Sequence, residues 1–399
     1  MPLPHFHWHH ASRAFAGTIE IAPTDTSSMR DTLSESAADA LSTLARTLGT
    51  GAAFCIGGGP DLDTSRLPNG YFVTLTGGTS GTPKAILRKQ ASWIDSFHIN
   101  ATQFNYTKPD SIAVLGPPSH SLALYGVLEA LHLGLDAHVL SPLKPSAQSA
   151  QLIARHCSIL YATPTQLRLL PAHEPLPDLR LILCGGGALT PAIRSHIARV
   201  APNAKVHVFY GAAETSFITL SDAQTPDGSV GPAYAGVDIN VTAPDATGTG
   251  LIWVRSPYIF DCYIQGVSVH TKREDGWLTV GEHGRLDRDG YLYLRGRAGR
   301  MINIADQTVY PEELEAAYLA VEGIGQCAVL QRPDPLRGHT LVAVLCGPDN
   351  ADLRVRVLSH CKAHGLIAPR SIVFLDPFPV LPSGKPDLQR IADLTGAQI

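Results

Sequence analysis

Between Ser111 and Tyr210 short β-rich runs alternate with helix-like runs, and this alternation confines the chain to a small set of folds. Candidate strands at 112–115, 137–140, 159–161, 181–184 and 206–209 are separated by helix-like stretches such as 121–133, 147–156 and 191–200. A strand that returns through a helix runs parallel to its predecessor. The expectation is an α/β fold, a parallel sheet layered by helices on both faces. Upstream, 34–48 reads as one amphipathic helix, Gly57-Gly58-Gly59-Pro60 breaks the chain, and 71–76 reads as a strand.

Past Gly228 long helices give way to strands and turns, clearest at 250–254 and 291–295, with Asp287-Arg288-Asp289-Gly290 as the turn before the second. Gly296 to Gly299 reads as a joint. Beyond it come a helix at 311–321, opened by Pro311-Glu312-Glu313, strands at 327–330, 341–346 and 372–375, and a helix at 353–363. The chain of 399 residues is too long for most single domains. The expected division is a large unit over 1–296 containing a β-rich part, a hinge near 297–300, and a small mobile α+β unit over 299–399.

Composition removes several classes. A net charge of −4 gives no sign of a polyanion-binding surface, so nucleic acid is not an expected partner. No stretch approaches the ~18 apolar residues of a membrane span. The first ten residues lack the basic end and apolar core of a signal peptide, and their four histidines, interleaved with aromatics, read as bland rather than as a metal site. Seven cysteines without a C-x-x-C pair read as reduced thiols in a cytoplasmic protein.

One segment carries a chemical signal of its own. Thr76, Gly77, Gly78, Thr79, Ser80, Gly81, Thr82, Pro83 and Lys84 follow the strand at 71–76 directly. Glycines let successive N–H groups face one anion, hydroxyls add donors, and Lys84 adds a mobile charge. Lys84 follows Thr82-Pro83 rather than the last glycine, so this is not a Walker A loop. Alone, it reads equally as a phosphate cradle or as an ordinary turn.

Further segments, in order, resemble the adenylate-forming superfamily of acyl- and aryl-CoA synthetases, luciferases and peptide-synthetase adenylation domains. The loop at 76–84 resembles its phosphate loop, and His120 the residue at the entrance of its acyl pocket. Gly185-Gly186-Gly187-Ala188-Leu189 and Tyr210-Gly211-Ala212-Ala213-Glu214 are similar to its adenine-side stretches, and Gly228–Pro232 to a downstream glycine stretch. Trp277–Glu282 and Tyr291–Arg297 resemble its ribose strands and hinge. Val309–Glu315 and Leu381-Pro382-Ser383-Gly384-Lys385 resemble its two C-terminal markers. The likeness spans roughly 71–390.

The resemblance implies ATP- and Mg2+-dependent activation of a small carboxylic acid as its acyl-adenylate. Transfer to the thiol of CoA, or to the phosphopantetheine of an acyl carrier protein, would follow. Such chemistry joins two anions, so charge must be neutralised. Among the expected catalytic residues, Lys385 would stabilise the developing charge, His120 would stand at the acyl-pocket entrance, and Glu214 would hold the metal. The nucleotide is expected against Thr76–Gly81, Lys84, Gly186, Gly187, Ala188, Tyr210, Gly211, Ala212 and Ala213, with Glu282 and Arg297 on ribose or phosphate. Trp93, Phe97, Leu124 and Tyr125 are expected in the acyl pocket, favouring an aromatic or medium apolar acid. Gly299 is the expected hinge.

The chain also departs from the family pattern. The segment before the phosphate loop is short. Ala213 replaces a threonine, Glu282 an aspartate, and Gly299 an Asp or Lys; Asp306 stands where glycine usually lines the pantetheine tunnel. Two other readings follow from these: an enzyme that stops at the adenylate and hands it to an amine or partner enzyme, and an inactive nucleotide-binding homologue.

Overall fold

The computed structural model describes residues 4–23, 36–57, 62–76, 84–304, 307–381 and 384–399. Its largest sheet has eight strands, in spatial order Ser216–Leu220, Lys205–Ala212, Leu181–Cys184, Ile159–Ala162, Ser111–Val114, Asp136–Val139, Ala14–Ala16 and Ile19–Ile21. The inner strands are parallel, and an antiparallel strand closes each edge.

The local sequence dictates this arrangement. Ser111–Val114, Ile159–Ala162 and Leu181–Cys184 are buried at every position, as parallel strands covered on both faces must be. Alternate residues feed two separate cores. Ile112, Val114, Ile159, Tyr161, Leu181 and Leu183 pack with the helices Gln90–Gln103 and Ser121–Leu133. Ala113, Leu160, Ala162, Ile182 and Cys184 pack with Pro145–Ala154, Pro164–Leu169 and Pro191–Val200. Each of the latter three helices opens on a proline in its first turn, where the missing N–H costs nothing. The first helix runs over Ala37–Thr47, and Ser36 and Asp39 form its capping box.

The β-rich part is a sheet ordered Lys272–Glu274, Trp277–Thr279, Gly250–Arg255, Glu282–Leu286 and Leu292–Arg297, with Asp238–Thr242 paired to Gly250–Arg255. A separate antiparallel sheet joins Tyr71–Thr76, Lys84–Lys89 and Cys262–Gln265, its register placing Thr76 opposite Lys84. From Ile302 onward the chain builds cores of its own. The strands Gln326–Asp334, Gly338–Cys346 and Ser371–Phe374 form one sheet. One face packs on the helices Pro311–Leu319 and Ala351–Ala363, the other on Leu388–Thr395.

The joint differs from its sequence reading. Gly296 and Arg297 belong to the strand Leu292–Arg297, with Arg297 opposite Glu282; only Ala298–Arg300 leaves it, as a 3-10 turn. Gly296 is small because neighbours lie directly over it: a Cβ there would stand 2.6 Å from Glu312 Oε2 and 3.0 Å from Tyr310.

Candidate active site

A cleft of about 620 Å3 opens where the parallel strands end. Gly116 follows one strand, Thr163 and Gly186 follow the next two, and Gly211 and Ala212 finish a fourth. Open α/β sheets place ligands at these carboxyl ends. Thr76 and Lys84 reach the cleft from the antiparallel sheet, Glu282 and Arg297 from the β-rich part, and Lys385 from the C-terminal unit.

Glu214 is presented by a tight return between Lys205–Ala212 and Ser216–Leu220. Gly211 has no alternative there, since a Cβ would fall 1.9 Å from the Ser216 carbonyl oxygen. Thr215 staples the turn by accepting from the Ala212 N–H at 2.9 Å. The Tyr263 hydroxyl donates to Glu214 Oε1 at 2.7 Å and lies 2.9 Å from Thr271 Oγ1. Behind the turn sits Arg88, which is completely buried. It donates to the carbonyls of Ala213 at 2.8 Å and Tyr258 at 2.6 Å. Burial pushes its pKa down to about 10, against the opposing pull of Glu214 and Asp261.

Glu282 and Arg297 are cross-strand partners, with Arg297 Nε donating to Glu282 Oε1 at 3.0 Å. The carboxylate raises the guanidinium pKa, and its other oxygen accepts from the buried Tyr210 hydroxyl. Lys385 sits on a small turn closed by bonds from Leu381 N to the Lys385 carbonyl and from Gly384 N to the Leu381 carbonyl, both 2.8 Å. Gly384 takes a φ of +80° in it. Burial, and then the charge of Arg297, lower the Lys385 pKa while Glu282 resists. His120, the N-cap residue of Ser121–Leu133, is lowered by burial and then by the Lys385 charge, so its imidazole is neutral at pH 7.

The structure thus gathers Thr76, Lys84, His120, Gly186, Gly211, Ala212, Ala213, Glu214, Glu282, Arg297, Gly299 and Lys385 around one cleft, with Trp93 and Tyr125. Gly77, Gly78, Thr79, Ser80, Gly81 and Asp306 lie outside the described residues. Gly187, Ala188 and Tyr210 do not line the cleft, nor do Phe97 and Leu124. Phe97 is one helical turn beyond Trp93 and packs behind Tyr125, ring centres 4.9 Å apart, while Leu124 faces the core. Tyr161, Phe209 and Phe217 line the cleft instead.

Sequence reading missed Arg88 and Tyr263. Arg88 had only a weak signal, a charge that directly continues the apolar run Ala85-Ile86-Leu87 within a strand that also carries Lys84 and Lys89. Tyr263 had none. Among the described residues no His, Cys, Asp and Glu group forms a metal cluster, and no helix is long and apolar enough to cross a membrane.

Two family profiles match the chain, AMP-binding enzyme over residues 20–264 and AMP-binding enzyme C-terminal domain over residues 313–385. An uncharacterized acyl-CoA ligase, YhfT of Bacillus subtilis (strain 168), is 32% identical over 79% of this chain and 66% of its own length. The putative long chain fatty acid-CoA ligase VraA of Staphylococcus haemolyticus is 30% identical over 70% of this chain and 60% of its own. The chain therefore spans less than two thirds of the length of these relatives. Among solved structures, the amide bond synthetase McbA from Marinactinospora thermotolerans superposes with a TM-score of 0.68 at 25% identity, over 82% of this chain and 69% of that one. The o-succinylbenzoate CoA synthetase from Bacillus subtilis, holding its acyl-adenylate, shares the fold at a TM-score of 0.70 and 22% identity, over 80% of this chain and 68% of that one.

Proposed function

The chain belongs to the AMP-binding enzyme family, and from that premise we propose that it activates a carboxylic acid with ATP, forming an acyl-adenylate, and passes the acyl group to a thiol. One observation carries the reading. Lys385, Arg297, Glu282, Glu214 and His120, far apart in sequence, surround one cleft.

In this reading the acid's carboxylate attacks the α-phosphorus and pyrophosphate leaves. Thr76 and Lys84 face the departing phosphates. Lys385 enters with a pKa lowered by burial, and its ammonium form neutralises the oxygens that gain charge during attack. The Glu282–Arg297 pair offers a carboxylate to ribose hydroxyls and a planar donor to phosphate. His120, neutral beside Lys385, holds the acid at the entrance without repelling that cation.

The donor set fits magnesium. Tyr263 engages only Oε1 of Glu214, and among the described residues nothing bonds Oε2. When bound there, the metal neutralises phosphate charge.

The acceptor is CoA, a reading supported by relatives named as CoA ligases, or the chemically similar phosphopantetheine of a carrier protein. The likeness to an amide bond synthetase favours one alternative, transfer to an amine. Aromatic side chains along the cleft, Trp93, Tyr125, Tyr161, Phe209 and Phe217, favour an acid with an aromatic or medium apolar body. Cysteines that form no disulfide fit a reducing, cytoplasmic setting. Magnesium-dependent exchange of pyrophosphate into ATP, run over a panel of acids, tests the reading. Exchange with none of them would leave a nucleotide-binding protein without adenylation activity.

A further inference from the structure

Among the described residues, five Phe, Tyr and Trp side chains line the cleft, and their rings touch in succession. Ring centres lie 5.0 Å apart from Trp93 to Tyr125, 5.2 Å from Tyr125 to Phe217, and 4.6 Å from Phe217 to Phe209. Tyr161 stands 5.9 Å from Tyr125. These are the spacings of packed rings, which leave no channel between neighbours for a methylene chain. Trp93, Tyr125, Tyr161 and Phe217 are 1–4% exposed, whereas Phe209 is only half-buried. Behind the wall the groups are polar and already paired. The Tyr125 hydroxyl bonds Ser96 at 2.7 Å, and the Tyr161 hydroxyl donates to Glu129 at 2.6 Å. Tyr234, stacked on Phe217, donates to Asn100 at 2.7 Å. A chain pushed past the rings would leave these buried groups unpaired, which is costly.

The wall also stands close to the reacting end. Gly186 faces Lys385, since a Cβ there would lie 3.9 Å from Lys385 Cε. Gly185, the residue before it, faces Phe209: an added Cβ would fall 2.2 Å from the tip of that ring. Consecutive Cα atoms are about 3.8 Å apart. The lysine assigned to the reacting carboxylate and the ring of Phe209 therefore lie over adjacent residues, just past the end of the strand Leu181–Cys184. Little length remains between them for the body of an acid.

We infer that Phe209, backed by Phe217, closes the acyl part of the cleft and limits the acid to a short body, a chain of a few carbons or a single ring. This rests on the acid-activating reading above and narrows it. It sets aside the long chains for which the Staphylococcus haemolyticus relative is named.

A length series decides the matter: even-numbered straight-chain acids from butanoate to hexadecanoate, with benzoate beside them. Pyrophosphate exchange gives kcat/KM for each. The parent enzyme is expected to work best on butanoate, hexanoate or benzoate, and to fall by about a hundredfold or more by dodecanoate. Phe209→Ala removes the ring and opens the wall. It should move the optimum to octanoate or longer and raise the ratio of decanoate to butanoate by about tenfold or more. A parent optimum at octanoate or beyond overturns the inference and leaves the ligase reading standing. So does a folded variant that keeps the parent's profile, even at lower rates throughout. Exchange with no acid at all overturns both. Should Phe209→Ala fail to fold, Phe209→Leu takes its place with a smaller shift in the same direction, and if neither folds the parent's own profile decides.

Discussion

At Glu214 a single phenol would govern how the carboxylate meets the proposed metal. Tyr263 holds one oxygen of Glu214, a residue that lines the cleft, and among the described residues the other oxygen has no hydrogen-bond partner. Glu214→Gln preserves the shape and removes the charge, so the magnesium concentration for half-maximal exchange should rise at least tenfold. Overlaying magnesium titrations would reduce Glu214 to a structural role. In the proposed reaction Lys385 acts on charge that appears only during attack. Lys385→Ala should therefore lose roughly two or more orders of magnitude in exchange, with ATP affinity nearly unchanged in equilibrium binding. Alone, each of these residues reads as an ordinary solvated side chain; only its place in the ordered series of family-like segments marked it as a candidate. Arg88 was not legible in its role, because its two carbonyl partners lie 170 and 125 positions away in the chain.

Between the helices Gln90–Gln103 and Ser121–Leu133 and the strand Ile159–Ala162 lies a buried polar layer. Glu129 is 0% exposed, accepting from Asn100 at 2.8 Å and from the Tyr161 hydroxyl. Burial drives its pKa up to about 8, against the hydrogen bonds of Tyr161, Asn100 and Tyr106. The folded protein keeps this proton up to about pH 8, while an unfolded chain releases it near pH 4.5. Its stabilising share is therefore full below that lower value and is lost as pH rises to 8. Glu129→Gln mimics the protonated form and does not titrate. Urea midpoints should show the parent losing stability relative to the variant between pH 5 and 8, by up to about 1.4 kcal/mol per pH unit. A constant difference would mean an ionised carboxylate. The helix itself was plain in the sequence, and its bounds match the reading, because Gly134 at φ +85° stops it. The burial of Glu129 was hidden, since a glutamate in a helix ordinarily marks the solvent side. The course of Leu292–Arg297 was hidden for the opposite reason: Gly296 looked like a break and is a packing site.

Lys385 reaches the cleft only because the unit built from Ile302 onward folds back over the rest. Arg295 and Glu313, 2.8 Å apart, pair across the joint, while Arg300 beyond it is gripped by Glu315 at 2.7 Å and Glu312 at 3.2 Å. Gly299 between them has no left-handed φ; a Cβ there would instead meet His270 Nε2 at 2.6 Å. As the proposed hinge, this turn would have to change shape between adenylation and thiol transfer. Gly299→Pro fixes φ, removes an N–H and crowds His270. Unequal losses in separately assayed adenylate formation and single-turnover thiol transfer are expected. Equal losses with a lowered melting temperature would make Gly299 a packing residue only. The placement of Lys385 also sets an order in time. The sheet edges that form the floor of the cleft leave the ribosome long before the last cation of its wall. At ~5–20 residues per second, Lys385 is translated roughly 4–18 s after Arg297. A nascent chain thus passes through an interval in which the floor of the cleft exists and the last cation of its wall does not.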